Sequence, residues 1–402
     1  MNLKNSVFFK IDDTVPIIII VATVIARLFS PYLSSILLNY IMPVLMLWRI
    51  SKDQGVLKNS IVFLYIVMLI WVFLSVFTGI SVQHSLASIR PTFGGLIVSL
   101  LMYSLSRKSL GNASWLLIAF VVLYFSTMLY IFRSGVVYEL DEETGRIGMK
   151  GVNANDMAYF LFYTTIAFSL LGWDGKSKMN FWNLLSYVVL IIFTLYTSII
   201  TASRQVLLVV LPFALLSVVF RLKGGRHFSS GGIIGLVLFG FALILGSNIF
   251  VTNYMHGSFL EQRMQMDIGE DDRVILLEKA IEVGIDHPIF GVGPGNYQKF
   301  SGGGFSHCSY TELFATSGLL AMILFIIIVY KSAKIQHRRY IHTHNRVFLY
   351  LYISTLVWAA YNVLYVFYIS PWLISFLFVM IGYSDSVYNM IQNNKKNENY
   401  LL

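Results

Sequence analysis

Three side chains in this 402-residue chain have the chemistry of a group-transfer site: Arg204, Arg273 and His307. A guanidinium grips phosphate oxygens with a planar fork of N–H donors, and a neutral imidazole takes a proton from a hydroxyl near neutral pH. Each residue also has a simpler explanation. Arg204 would serve as an interfacial anchor, Arg273 would pair with Glu270 or Asp271, and His307 would be an inert loop residue.

Four further polar residues are candidate substrate contacts: Arg90, Asn155, Tyr297 and Glu312. Glu312 follows His307 by five residues, so it could orient the imidazole or replace it as the base. A carboxylate in an apolar span is costly and should face away from lipid. For the other three, the simpler roles are a membrane anchor, a helix cap and an interface aromatic.

Cofactor chemistry finds little support in the sequence. The single cysteine, Cys308, excludes an internal disulfide and a cysteine-based metal site, and we expect neither a metal nor another cofactor. The run from His287 to Gly293 is glycine-rich, but it lacks the preceding strand and the Lys-Ser/Thr ending of a nucleotide-binding P-loop.

Composition shows which elements must position these residues. The chain is 57% hydrophobic and 12% charged, about half the charged fraction of a soluble domain. Apolar runs close to the bilayer-crossing length of about 20 residues recur along it. They predict an all-α polytopic membrane protein of about 12 transmembrane helices: Val15–Phe29, Leu33–Trp48, Ser60–Ile80, Pro91–Leu105, Ser114–Phe132, Asp156–Gly172, Phe181–Thr201, Gln205–Phe220, Gly231–Phe250, Tyr310–Tyr330, Val347–Tyr368 and Pro371–Met390.

The distribution of lysine and arginine predicts the orientation, with both termini in the cytoplasm. The net charge of +9 is then a topology signal, and nucleic-acid binding is not expected. We expect no cleavable signal peptide at the N-terminus. Four regions follow: a membrane bundle of about nine spans (1–250), a long outer loop (251–309), C-terminal spans (310–390) and a polar, disordered cytoplasmic tail (391–402).

The outer loop changes character at Asp271. From there, apolar residues recur at helical spacing, and His287-Pro288 would end the helix. A tight turn at Gly291, Gly293 and Gly295 and a hinge at Gly302–Gly304 would follow. The apolar positions of the expected helix are Val274, Leu277, Ala280, Ile281 and Ile285.

These motifs resemble those of a known family. The stretch His287–Tyr297 is similar to the loop signature of the O-antigen ligase and polymerase superfamily. His307 with Gly318 resembles its histidine motif, Thr201–Arg204 its Ser-Arg step, and Gly151–Asn155 its glycine–asparagine entry to an earlier span. Their order along the chain, on one side of the membrane, makes the combination more specific than any single motif.

The resemblance implies an inverting, metal-independent glycosyltransferase of the bacterial inner membrane, with its active site on the periplasmic face. The donor would be an oligosaccharide on undecaprenyl diphosphate, the acceptor another glycan, and a chain-length regulator a candidate partner. Arg204 and Arg273 would neutralise the departing diphosphate, His307 would activate the acceptor hydroxyl, and Asn155 with stacking aromatics would position the glycan.

Four functions remain open from the sequence. Polymerisation of lipid-linked repeat units is favoured over ligation to lipid A core or protein, because Ala321 stands where the ligase pattern often has glycine. A lipid-linked oligosaccharide flippase or another transporter would suit the span number, but it predicts charges near mid-membrane. A non-enzymatic assembly subunit would tolerate point mutations at the three candidate catalytic positions.

Overall fold

The computed structural model describes residues 11–134, 138–141, 146–149, 154–171, 173, 181–201, 205–222 and 272–399, and singly residues 242, 245, 246, 249 and 253. Most of these residues are helical. Numbered in chain order, the elements are α1 Ile11–Phe29, α2 Pro31–Ile36, α3 Met42–Lys52, α4 Ser60–Thr78, α5 Val82–Ser88, α6 Arg90–Ser106, α7 Leu110–Ser134, β1 Tyr138–Asp141, β2 Arg146–Met149, α8 Ala154–Leu170, α9 Phe181–Thr201, α10 Leu211–Leu222, α11 Asp272–Asp286, α12 Ser309–Thr343, α13 Arg346–Tyr361 and α14 Pro371–Asn399. Short π-helical segments at Leu37–Ile41 and Val206–Val210 lead into α3 and α10.

Among the described residues, five helical stretches are long and apolar enough to cross a membrane: Tyr32–Lys52, Ser60–Thr78, Val82–Ser106, Ser309–Thr343 and Pro371–Asn394. Shorter apolar helices accompany them. The helical membrane architecture predicted from composition is confirmed at this level, whereas the number of spans stays a prediction. One expected span, Gly231–Phe250, lies almost wholly outside the described residues.

The structure differs from the all-helical expectation in one place and from the expected tail in another. The acidic segment between α7 and α8 contains an antiparallel hairpin of β1 and β2, with Tyr138 opposite Met149. Apolar and acidic residues alternate along β1, which is the period of a strand. The tail expected to be disordered continues α14 as far as Asn399.

Buried aromatic rings join the helices of the core. The rings of Tyr163 on α8 and Phe376 on α14 stack with their centroids 4.4 Å apart. The Tyr163 hydroxyl accepts a hydrogen bond from Trp358 Nε1 of α13 at 3.2 Å and donates one to the Leu373 carbonyl at 3.2 Å. Each polar atom of this cluster therefore has a partner, as burial in an apolar core requires.

Helix α4 spans the distance between two ends of the bundle, about 28 Å for its 19 residues. Its N-cap, Asn59, hydrogen-bonds the Tyr103 hydroxyl near the end of α6. After its last turn, the amide of Ile80 donates to the Val292 carbonyl at 3.1 Å. We call the first end, with Asp53, Arg107, Arg339 and Asp385, the basic end. The second end, with Gly79, residues 287–309 and Asn362, is the loop end.

Candidate functional site

Helix α11 forms where the sequence predicts it and ends at Asp286, immediately before His287-Pro288. The buried face differs from the predicted apolar stripe. Ala280 and Val283 are buried, whereas Ile285 is 65% exposed. The reason is Gly284, which lies against the Phe314 ring of α12 and leaves no room for a side chain. A small residue therefore sets the packing face, and the large apolar ones turn outward.

The glycine-rich turn after α11 supplies hydrogen-bond partners to a break in α12. At Gly318 the helix has φ 82° and ψ 178°, so it cannot make its regular hydrogen bonds there. The carbonyls of Ala315 and Thr316 accept instead from the amides of Val292 and Gly293, both at 2.9 Å. The Leu319 amide in turn donates to the turn, at the Pro288 carbonyl.

A neighbouring helix supplies another of these partners. The Ser317 carbonyl, which would also lose its helical partner at the break, accepts from Trp71 Nε1 on α4 at 3.0 Å. The Trp71 ring stacks on Phe290 of the turn, with centroids 4.6 Å apart. The amides of Val292 and Gly293 are thus already engaged, which agrees with the rejection of a P-loop.

Two glycines are required by this close approach. Gly291 has φ 64°, and a Cβ there would collide with the backbone of Thr316. Gly318 has a positive φ too, and its Cβ would collide with the Ile289 carbonyl. The glycine pattern in the sequence therefore reflects packing between the turn and α12.

His307 has a left-handed backbone, with φ 56°. This conformation is uncommon for a residue with a side chain, and the surrounding contacts must hold it. Ser306 supplies them, because its hydroxyl donates to the Cys308 carbonyl at 3.0 Å and accepts from the Cys308 amide at 3.3 Å. The imidazole is neither buried nor fully exposed. Such a turn fixes the direction in which the ring is presented.

Glu312 is buried, with 2% exposure, and braces this turn from inside. One carboxylate oxygen accepts from the Ser306 amide at 2.8 Å, so it holds the residue before His307. Glu312 also acts on Tyr297. Burial, with a smaller contribution from the Glu312 charge, raises the pKa of Tyr297 to about 12. A tyrosine hydroxyl is protonated at neutral pH even at its ordinary pKa, so Tyr297 is a donor.

The loop carrying His307 folds back onto the first turns of α11. The buried Tyr297 donates its hydroxyl hydrogen to the Leu276 carbonyl, and Gly304 packs against the Leu276 side chain. Arg273 lies one helical turn before Leu276 and is partly exposed. The loop thus brings the turn of α11 that bears Arg273 beside residues 297–304.

The end of α13 connects the loop that carries His307 to the start of the π-helical segment before α10. Ser309, two residues after His307, donates its amide to the Asn362 carbonyl at 2.7 Å and its hydroxyl to Asn362 Oδ1 at 2.8 Å. The neighbouring Tyr361 donates its hydroxyl to the Gln205 carbonyl at 3.3 Å. Tyr361 and Asn362 therefore join the residue after Arg204 to the residues after His307.

Arg90 is exposed at the first position of α6. It follows Ser88 by two residues, and Ser88 packs against Gly295 of the glycine turn. His84 Nε2 also lies 3.1 Å from the Gly295 carbonyl. Arg90 thus belongs to the same end of the bundle as His307.

Two predicted site residues are not described in full. Arg204 lies outside the described residues, between Thr201 and Gln205. Asn155 is in the first turn of α8, but its side chain is not described. Sequence reasoning missed Asn362 and Ser309. An amide within an apolar run was a usable signal, because a polar group in a span needs a buried partner.

Comparison with known proteins agrees with the motifs. Residues 187–326, about a third of the chain, match the family model described as O-antigen ligase. No curated protein matches the chain. The matched segment includes Arg204, Arg273, His307 and the break at Gly318. Among the described residues, no group of three or more His, Cys, Asp or Glu side chains is arranged to hold a metal ion.

The match and the apolar helices together indicate a bacterial membrane protein. The family implies glycosyltransferase-like activity of the O-antigen ligase or polymerase kind. Residues 187–326 are thus similar to the O-antigen ligase family, which supports the resemblance to the O-antigen ligase and polymerase superfamily.

Proposed function

We propose that this protein is an inverting, metal-independent polymerase that joins oligosaccharide repeat units carried on undecaprenyl diphosphate. The reaction would take place at the loop end, on the periplasmic face of the inner membrane, with both termini in the cytoplasm. A second lipid-linked glycan is the acceptor, and a chain-length regulator is a candidate partner. The product is a polysaccharide of the O-antigen or capsule type.

The observation that carries the proposal is a set of hydrogen bonds between residues that neighbour three separate sequence motifs. Tyr361 and Asn362 link the residue after Arg204 with the turn of His307. Tyr297 links the same loop with the first turns of α11, which bear Arg273. These contacts support two guanidiniums and one imidazole acting on the same substrate.

In the proposed reaction, the acceptor hydroxyl oxygen attacks the anomeric carbon of the donor sugar. The bond from that carbon to the diphosphate oxygen breaks, and the diphosphate departs with the electron pair. His307 takes the proton of the hydroxyl, while Arg204 and Arg273 stabilise the charge that grows on the diphosphate. Attack from the face opposite the leaving group inverts the anomeric configuration.

The remaining candidate residues would have supporting roles. Arg90 would bind a second phosphate or an acidic sugar from the other side of the turn, and Asn155 would bind glycan hydroxyls. The buried positions of Tyr297 and Glu312 favour a role in holding the loop. Phe300 and Phe305 are exposed at 38% and 40% and are better placed to stack on a sugar ring.

The test uses Arg204→Ala, Arg273→Ala and His307→Ala in cells and in a purified assay with lipid-linked repeat units. Each change should lower elongation by about a hundredfold or more. Lys279→Ala and His287→Ala are matched controls, because both residues are near the site but exposed. Elongation that survives all three substitutions would disprove the proposal. Movement of the lipid-linked units across the membrane without new bonds would indicate a transporter.

Ligation is the second candidate, because the matching family model is described as O-antigen ligase. The donor and the three catalytic roles would be the same, and the acceptor would be lipid A core or protein. The surface glycan of a deletion strain separates the two functions. Surface glycan of single repeat units implies that a polymerase was lost, whereas absence of surface glycan implies that a ligase was lost.

A further inference from the structure

A polar cleft of about 560 Å³ lies at the basic end, across the bundle from His307. It forms where α4 begins, α6 ends and the later turns of α12 and α14 meet. Its lining includes Lys58, Arg107, Lys108 and Arg339 and the carboxylates of Asp53 and Asp385. Four cations facing two carboxylates leave an excess of two positive charges. The glycosyl-transfer chemistry proposed above makes no use of this cleft.

One guanidinium in the cleft is held rigidly and keeps donors to spare. Arg107 donates from Nε and Nη2 to Asp53, at 3.2 and 2.9 Å, and from Nη1 to the Gly55 carbonyl at 2.9 Å. A guanidinium carries five N–H groups, so two are not used in these three hydrogen bonds. Gly55 permits this arrangement, because a Cβ there would collide with Nη2 of Arg107.

The second guanidinium is fixed in the same way. Arg339 donates to Ser384 at 2.6 Å and to the Asp385 carboxylate. The other oxygen of Asp385 accepts from the Tyr103 hydroxyl at 2.7 Å, and Asn59 donates to that hydroxyl at 2.6 Å. The oxygens of the acidic side chains are therefore engaged, while N–H groups of both arginines are left over.

The lysines supply the excess charge. The Lys108 ammonium lies 2.9 Å from Asp13, a carboxylate outside the cleft lining that also pairs with Arg49 at 2.8 Å. Adding Asp13 and Arg49 to the set therefore leaves the excess of two unchanged. Lys58 is exposed, and within the described part of the chain it forms no ion pair. It can thus turn its ammonium toward a ligand.

We propose that this cleft is a binding site for a phosphate-bearing anion. A phosphate offers only acceptor oxygens, which suits surplus N–H donors and a surplus of positive charge. A phosphate monoester or a diphosphate would neutralise the excess. Since the cleft lies at the ends of apolar helices, the phosphate belongs to a lipid headgroup in that leaflet or to a soluble anion. The same chemistry serves both.

The experiment uses the purified full-length protein and two kinds of probe. Inorganic phosphate and pyrophosphate are titrated against the protein in detergent, and the thermal unfolding midpoint is measured. Separately, the midpoint is compared between nanodiscs of phosphatidylcholine and nanodiscs containing phosphatidylglycerol. Stabilisation by the soluble anions identifies a free phosphate ligand. Stabilisation by phosphatidylglycerol alone identifies a lipid headgroup.

Lys58→Gln should weaken binding of the stabilising anion about tenfold, because one charged contact is lost. Lys334→Gln is the matched control, an exposed lysine on α12 that does not line the cleft, and it should change nothing. Two results would overturn the proposal. Either no anion of either kind stabilises the wild-type protein, or both variants lose the same amount of anion affinity. The charges would then only set the orientation in the membrane. Neither result would bear on glycosyl transfer at His307.

Discussion

The left-handed backbone of His307 allows its chemical and structural roles to be separated. An alanine in that conformation costs about 1–2 kcal/mol relative to its preferred conformations, and glycine costs almost nothing there. Glycine costs about 0.4–1 kcal/mol more conformational entropy than alanine on folding, because the unfolded chain has more accessible conformations at glycine. With φ 56° at position 307, His307→Gly should therefore be more stable than His307→Ala by about 1 kcal/mol.

Activity should follow the imidazole and not the backbone. His307→Gly, His307→Asn and His307→Ala should all lower elongation by about 10²–10⁴-fold, since each removes the proposed base. Asparagine tolerates the left-handed region better than alanine, so its stability should fall between the other two. The assays are unfolding of the purified protein in detergent and the length of the glycan made in cells.

His344 provides the control, because it ends α12 with φ 51°, also left-handed. Its glycine and alanine variants should show the same order of stability and normal elongation. Normal elongation by His307→Gly would refute the role of the imidazole. Equal stability of His307→Gly and His307→Ala would refute the backbone argument.

Three further predictions follow from individual contacts. Gly291→Ala should lower the free energy of unfolding by about 3 kcal/mol or more, because the new Cβ collides with backbone atoms. Gly302→Ala, with φ 68° and open space around it, should lower it by only about 1 kcal/mol. Equal losses in denaturant unfolding would contradict the close packing of Gly291 against α12. Among the described residues, the buried amide atoms of Gln205 and Gln336 have no hydrogen-bond partner. Changing either residue to leucine should therefore leave the free energy of unfolding unchanged or raise it by about 1–2 kcal/mol. Only Gln205→Leu should shorten the glycan, because Gln205 directly follows Arg204 and an amide carbonyl and N–H together fit sugar hydroxyls. Unaltered glycan length would count against a contact between Gln205 and the glycan. Glu312→Gln should keep elongation within about tenfold of the wild-type level, because the amide oxygen can still accept the hydrogen bond from the buried Ser306 amide. Glu312→Ala, which removes that acceptor, should lower the free energy of unfolding by about 1–3 kcal/mol. A complete loss of elongation with Glu312→Gln would instead indicate that the charge itself is needed.

Local patterns in the sequence were sufficient for several features. The apolar runs predicted membrane helices, and helical spacing followed by His287-Pro288 predicted α11 and its end. The order of the arginine, glycine and histidine motifs led to the family that the comparison supports. These features depend on neighbouring residues, and a single sequence contains that information.

The folded chain decided the rest, because the deciding hydrogen bonds connect residues far apart in sequence. Trp71 reaches the Ser317 carbonyl across 246 positions, and no local pattern marks that pair. The glycine turn looked like a loop of its own, yet its amides complete α12 at the break. Helix composition predicted neither the packing face of α11 nor the left-handed turn at His307. Sequence alone determined which groups are present, and tertiary structure determined their partners, since each buried polar group must find a partner wherever the chain brings one close.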